Sequence, residues 1–146
     1  SRRGLGVSPE MAHESHYRTI TPAVVLTSSM PESPRAPFER AAQYRGQART
    51  LRAGRDGDWL LFVFEQPAEC RSITVKTGYK HMPRSIFDAG YVETSADGRH
   101  FERVAELVGG TATIESEGKI AALRVVCTAT GNGCRNVLIQ PLEIRR

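Results

Sequence analysis

Gly90-Tyr91-Val92-Glu93-Thr94-Ser95-Ala96-Asp97-Gly98-Arg99-His100-Phe101-Glu102-Arg103-Val104-Ala105-Glu106 is the stretch that decides the fold. Residues 90–95 read as a strand, Asp97-Gly98 is the dipeptide of a tight hairpin turn, and 100–106 reads as the returning strand. The same punctuation continues in both directions. Downstream, Gly109-Gly110 turns the chain into a strand at 111–115, and Glu117-Gly118 turns it again. Two longer strands follow at 121–128 and 137–144, around the loop Ala129-Thr130-Gly131-Asn132-Gly133. In the first of them Leu123, Val125 and Cys127 alternate onto one inward face. Upstream, Ser72-Ile73-Thr74-Val75-Lys76-Thr77 alternates with Ile73 and Val75 together, and Gly78 ends it. Trp59-Leu60-Leu61-Phe62-Val63-Phe64-Glu65, closed by Gln66-Pro67, has no wet face and predicts a strand buried on both sides. A short strand at 23–27 precedes it, as do one or two helical turns at 37–44 with Pro37 in the first turn. Short strands, a turn signal every 8–12 residues and almost no helix define an all-β sandwich or jelly roll.

The 146 residues, 40% hydrophobic and 25% charged, have the composition of one soluble globular domain. That length is too short for a (β/α)₈ barrel of roughly 250 residues. No apolar run approaches the roughly 20 residues of a membrane span. Residues 1–20 carry little periodicity and read as a lead-in or linker, leaving 21–146 as the sandwich. The net charge is +4, and of 20 basic residues only Lys76, Lys80 and Lys119 are lysine. Six arginines fall between Arg35 and Arg55, interleaved with Glu39, Asp56 and Asp58. Guanidinium forks suit phosphates, but the arginines are spread over the chain with no recognition helix, zinc finger or stacking platform among them. Nucleic acid is therefore not the expected partner. Cys70, Cys127 and Cys134 are an odd set without metal-ligand spacing. Cys127 and Cys134 flank a Gly-Asn-Gly turn, which leaves a cross-hairpin pair as the alternative to buried free thiols.

No catalytic constellation assembles. His13 and His16 are three apart but have no third partner, so no metal site is assigned. His81 lies in a loop and His100 beside a turn, both positions that face solvent. Asp56-Gly57-Asp58 brings two carboxylates close enough for a cation or acid–base work, yet it is first of all turn chemistry leading into a strand. No nucleophile elbow, phosphate-binding loop or Cys/His nucleophile pair occurs. Three loops instead combine planar polar groups with an aromatic: 43–52 with Tyr44, 78–87 with Tyr79 and His81, and 132–136. Amides and guanidinium forks address vicinal hydroxyls, and an aromatic face covers the C–H patch of a sugar ring. The candidate binding residues are Tyr79 and His81 for stacking and hydrogen bonding, Arg52 and Arg84 as hydroxyl donors, and Asn132 and Asn136 as bidentate amides. The rival reading is a structural or protein-interaction domain without a sugar site. An exposed aromatic in a loop-end groove favours the first reading, and a broad apolar patch favours the second.

Several motifs resemble the discoidin family, also called the coagulation factor V/VIII type C domain, which includes the family-32 carbohydrate-binding modules. They are Gly57-Asp58-Trp59-Leu60 opening a strand, the hairpin Val92-Glu93-Thr94-Ser95-Ala96-Asp97-Gly98 with Phe101 after it, and two closing strands. The closing strands are Ile120-Ala121-Ala122-Leu123-Arg124-Val125 and Leu138-Ile139-Gln140-Pro141-Leu142-Glu143-Ile144. The resemblance covers residues 21–145. Thr27-Ser28-Ser29 and Lys76-Thr77-Gly78 are similar in style to domains appended to bacterial β-N-acetylhexosaminidases of the chitobiase type. The resemblance implies an eight-stranded antiparallel jelly-roll β-sandwich of the galactose-binding type. It also implies a non-catalytic accessory module that binds terminal galactose- or N-acetylhexosamine-type sugars. Such a module accompanies the catalytic domain of a secreted, periplasmic or cell-surface glycoside hydrolase.

This sequence departs from that pattern in two places. Many members carry an Asp-Gly-Asp-x-x-Thr loop that holds a structural calcium, and the counterpart here is Arg45-Gly46-Gln47-Ala48-Arg49-Thr50. A hard cation wants charged oxygens, so calcium is disfavoured and no cofactor is assigned, with backbone carbonyls and Glu143 left as contributors. Sugar-binding members also often place an aromatic after the last loop, where this chain has Cys134, Arg135 and Asn136. Without that stacking face, sugar affinity is weak, moved to Tyr44, Tyr79 or Phe87, or absent.

Overall fold

The computed structural model describes residues 19–131 and 133–146. Among them are eight strands of three or more residues: β2 (Val24–Ser28), β4 (Trp59–Glu69), β5 (Ser72–Lys76), β6 (Ala89–Ser95), β7 (Glu102–Val108), β8 (Thr111–Glu115), β9 (Lys119–Ala129) and β11 (Glu143–Arg145). Three two-residue strands, β1 (Thr19–Ile20), β3 (Ala48–Arg49) and β10 (Leu138–Ile139), and one short helix, α1 (Phe38–Ala42), complete the description. The expected lead-in and the His13/His16 pair lie outside the described residues, except that the backbone of Thr19 and Ile20 pairs with Arg145 and Ile144. No helix among the described residues is long and apolar enough to cross a membrane.

The strands form one antiparallel sheet in the order β1-β11-β5-β8-β7-β6-β9-β4-β2, with β3 and β10 as a separate pair. Only Val108 and Thr111 join β7 to β8. Between them Gly109 and Gly110 take φ of +59° and +79°, the left-handed region a tight hairpin turn requires. The sheet folds over at this corner into the two layers of an all-β sandwich. Leu60 and Phe62 of β4, Val92 of β6 and Leu123, Val125 and Cys127 of β9 meet Ile73 and Val75 of β5, Ile114 of β8 and Ile144 of β11 in a single core. Alternation along β5 and β9 thus places side chains as the sequence pattern predicts. Each fully buried aliphatic side chain contributes about 1.5–3 kcal/mol before the cost of ordering the chain.

The hairpin between β6 and β7 is closed by side-chain chemistry. Ser95 Oγ donates to Asp97 Oδ1 at 3.0 Å, and that oxygen accepts the backbone N–H groups of Arg99 and His100. The His100 ring stands 2.7 Å from Asp97 Oδ2, which holds the carboxyl well below its ordinary range and raises the imidazole. At the other end of the chain, Pro37 forms the N-cap of α1 with φ −67°, and Phe38, Ala41 and Ala42 pack inward.

Two strand expectations need correction. First, β4 does not close at Gln66-Pro67 and is not buried on both faces. It continues to Glu69 through a register shift between Val63 and Ala68, where Pro67 leaves no ladder bond unmade. Leu60, Phe62 and Phe64 point inward, while Val63 on the outer face is 40% exposed and Trp59 and Leu61 are half-buried. Apolar composition alone cannot show whether a second layer covers that face. Second, 137–144 is two strands. Pro141 has no N–H to pair, so β10 turns to β3 and β11 to β5, with Gln140-Pro141-Leu142 between them. The three cysteines are free thiols, and burial pushes Cys127 up to about 11.

Candidate functional site

Register places the candidate loops at one end of the sandwich. Trp59, Val126 and Tyr91 stand in one row, as do Lys76 and Thr111. The start of β4, the start of β6 and the ends of β5 and β9 therefore lie together. From them emerge the segments 50–58, 77–88 and 129–137.

These segments are bound to one another. Thr50, 1% exposed, donates its N–H to the Val137 carbonyl at 3.0 Å, and its hydroxyl accepts the Val137 N–H at 2.8 Å. Ser85 Oγ donates to Asn136 Oδ1 at 2.7 Å, while the Leu138 N–H donates to the Ser85 carbonyl at 3.0 Å. Thr130 Oγ1 donates to the Gly54 carbonyl at 3.2 Å. Gly54 lets Phe87 approach, since a Cβ there would come within 2.7 Å of the Phe87 ring. Gln140, which no sequence signal marked, donates through Nε2 to the carbonyl of Gly78 and to Gln47 Oε1. Loops linked in this way form one connected platform rather than independent tips.

The six candidate residues have different fates. Arg52 lays its fork on Asp58, with Nη1 2.7 Å from Oδ2 and Nη2 3.0 Å from Oδ1, and Nη1 also donates to the Ala53 carbonyl. Asp58 further accepts from Ser29 Oγ at 2.8 Å and from the Arg55 N–H at 2.7 Å. The guanidinium holds the Asp58 carboxyl down at about 2, against burial, which pushes it up. Arg52 is therefore a positioning residue that pins 52–58. Gly57, with φ +93°, makes the expected turn.

Tyr79 is 43% exposed, and its ring centroid lies 5.3 Å from that of the exposed His81, with the planes tilted by 57°. Tyr79 also lines a groove of about 650 Å³ with Lys80, Pro83, Ile86, Pro141 and Leu142. Arg84, exposed, lies across Gly133, where a Cβ would meet its Nη1 at 2.9 Å. Asn136 is half-buried with its carbonyl oxygen held by Ser85. Asn132 lies outside the described residues. The structure thus brings Arg84 and Asn136 to one seam and Tyr79 to an adjoining groove of which Arg84 and Asn136 are not part. The two alternative aromatics are more enclosed than Tyr79. Phe87 is fully buried, and the half-buried Tyr44 donates its hydroxyl to the Pro22 carbonyl at 2.9 Å, burial pushing it up to about 12.

The segment 45–50 does not fit a calcium ion. The Gln47 carbonyl accepts from Arg40 Nε at 3.3 Å, and Glu143 is paired with Lys76 Nζ at 2.7 Å. Positive side chains thus already hold two of the oxygens a cation would use. Among the described residues no group of three His, Cys, Asp or Glu side chains is placed to hold a metal. Millimolar calcium, or EDTA, is expected to move the melting temperature by less than about 1 °C. A stabilisation that grows with calcium concentration would reveal a site in the folded state.

No family model matches the sequence, and no curated protein matches it. Solved structures do match the fold. The family 32 module of NanJ from Clostridium perfringens, in complex with galactose, aligns at TM-score 0.65 and 14% identity over 88% of this chain and 98% of that one. CpGH89CBM32-5 from Clostridium perfringens, in complex with GalNAc-β-1,3-galactose, aligns at 0.62 and 13% over 84% and 94%. Chitosan-binding module 1 of a chitosanase/glucanase from Paenibacillus sp. IK-5 aligns at 0.66 and 13% over 88% and 98%. The architecture is that of the β-sandwich carbohydrate-binding modules. At these identities the likeness is one of fold, and function has to be argued from the site.

Proposed function

We propose that this chain is a non-catalytic carbohydrate-binding module of a glycoside hydrolase and holds a terminal sugar at the loop end of the sandwich. The observation that carries the reading is the exposed Tyr79–His81 pair beside the groove, on loops cross-linked to the seam of Arg84 and Asn136. An aromatic face and fixed polar groups on a rigid scaffold are the two requirements of weak, specific sugar binding. Modules of similar fold seen with galactose and with a GalNAc-containing disaccharide support this ligand class. In this reading residues 21–146 form the module and 1–20 lead into it. The parent enzyme is β-N-acetylhexosaminidase-like, as the sequence resemblance suggests, and is secreted, periplasmic or at the cell surface.

Titration calorimetry with galactose, GalNAc and GlcNAc tests the proposal. Binding is expected in the millimolar range or tighter. Tyr79→Ala should weaken it about tenfold, equivalent to ~1.4 kcal/mol, without changing the melting temperature. A folded protein that binds none of the three at millimolar concentration removes the proposal.

One observation favours the second reading, a domain that packs on its catalytic partner. The outer face of the β2–β4–β9–β6 layer carries Trp59, Leu61, Tyr91 and Val126 around a concavity, with Val25 and Val63 51% and 40% exposed nearby. Under that reading Tyr79→Ala is silent, and charged substitutions at Val25 or Val63 release the partner domain.

A further inference from the structure

Hydrogen bonding inside the loop platform engages the acceptors of Asp58, Asn136 and Thr50. Both Asp58 oxygens are engaged by Arg52, with Ser29 and the Arg55 N–H as further donors. Asn136 Oδ1 receives Ser85 Oγ, and its N–H₂, which no bond inside the platform uses, supplies two donors. The Thr50 hydroxyl both accepts from Val137 and donates to the Arg52 carbonyl. Cations, by contrast, stand open. Arg84 and Arg135 directly precede Ser85 and Asn136, so two guanidinium-bearing residues flank one hydrogen bond, with Arg84 laid across Gly133. Among the described residues neither makes an ion pair, and nor do Arg55 and Lys80 on the adjoining segments. The unpaired carboxylates of the same segments are Asp56 and Asp88, the latter facing Gly131. Four cations stand against these two.

A neutral sugar hydroxyl meets these cationic donors only through a neutral lone pair. A carboxylate or sulfate offers acceptors alone, and guanidinium forks bind it through charge-assisted, bidentate bonds. We propose that the loop end selects saccharides bearing an anionic group, a uronate carboxylate or a sulfate ester, seated between Arg84, Arg135 and the Asn136 amide. The proposal rests on the loop end being a sugar site and names the class of sugar it takes.

The test is titration of the folded chain with galacturonate, galactose 6-sulfate and galactose at 50 and 300 mM salt. At low salt at least one anionic sugar should bind tenfold or more tighter than galactose. Screening at higher salt should shrink that preference severalfold. The two anionic sugars separate a carboxylate-selective seam from a sulfate-selective one. Arg84→Gln should cut the anionic-to-neutral affinity ratio at least fivefold with an unchanged melting temperature. Equal affinity for all three sugars would overturn the selectivity and leave the sugar-binding proposal standing. A preference that Arg84→Gln does not touch would overturn the seam assignment. No binding of any of the three would overturn the selectivity, and the titrations with GalNAc and GlcNAc then decide whether the sugar site itself stands.

Discussion

Asp58→Ala is expected to lower the stability by about 3 kcal/mol and the melting temperature by roughly 10 °C. Asp58 is 7% exposed and receives four donor groups: both arms of the Arg52 fork, the Ser29 hydroxyl and the Arg55 N–H. Truncation strands all of them where β4 begins. Breaking a buried pair from one side costs about 3–5 kcal/mol. The Arg52 side chain is 30% exposed, so water reaches it and the cost falls toward the lower end. Arg55→Ala is the control. Its exposed side chain is not among the groups on Asp58, where only its backbone N–H bonds, so the change should stay within about 0.5 kcal/mol. Equal losses in the two variants would mean that the loop, and not the carboxylate, is the source.

The same carboxylate sets a pH window. Its folded value of about 2 lies below the roughly 3.9 of an unfolded aspartate. The stabilisation is therefore complete above about pH 4 and is lost as the pH falls toward 2. A shift of that size is worth roughly 2–3 kcal/mol. Urea unfolding of the wild-type protein and Asp58→Ala should show curves that stand apart at pH 7 and approach one another by pH 2. A gap of constant size across that range would exclude the ionised carboxylate as its cause.

The elements readable in the sequence were those set by neighbours in the chain. Asp97-Gly98 and Gly109-Gly110 announce hairpins because φ > 0 is a local demand, and Ile73/Val75 and Leu123/Val125 report a buried face by alternation. Contacts made far along the chain are not encoded in that way. Where Pro141 breaks the last strand, the Gln140 side chain beside it bonds to Gly78 and Gln47, 62 and 93 residues away. The loops of the candidate site were legible as loops with polar and aromatic content. Which side chains remain available was not, because Arg52 turns to Asp58, Tyr44 to Pro22, and Phe87 fills the space that Gly54 leaves open. Burial of β4 on one face rather than two is a fact of layer stacking, which an apolar run does not encode.

That last difference sets up a large contrast between two adjacent residues of β4. Phe62 is fully buried and stands in register between Leu26 of β2 and Leu123 of β9, all three pointing into the sandwich. Phe62→Ala removes a ring from a close-packed core and should cost about 4 kcal/mol, the loss of transfer energy adding to the cavity left behind. Val63, one residue on, points outward between Val25 and Ala122 and is 40% exposed. Val63→Ala gives up part of one branched side chain and some strand preference, which puts its cost below about 1 kcal/mol. Were the strand buried on both faces, as its composition alone suggests, the two substitutions would differ only by side-chain size. Urea unfolding of the two variants decides between these pictures. A ratio of four or more is what a sandwich with an open outer face requires, whereas a Val63→Ala cost above about 2 kcal/mol would mean that something covers that face in solution.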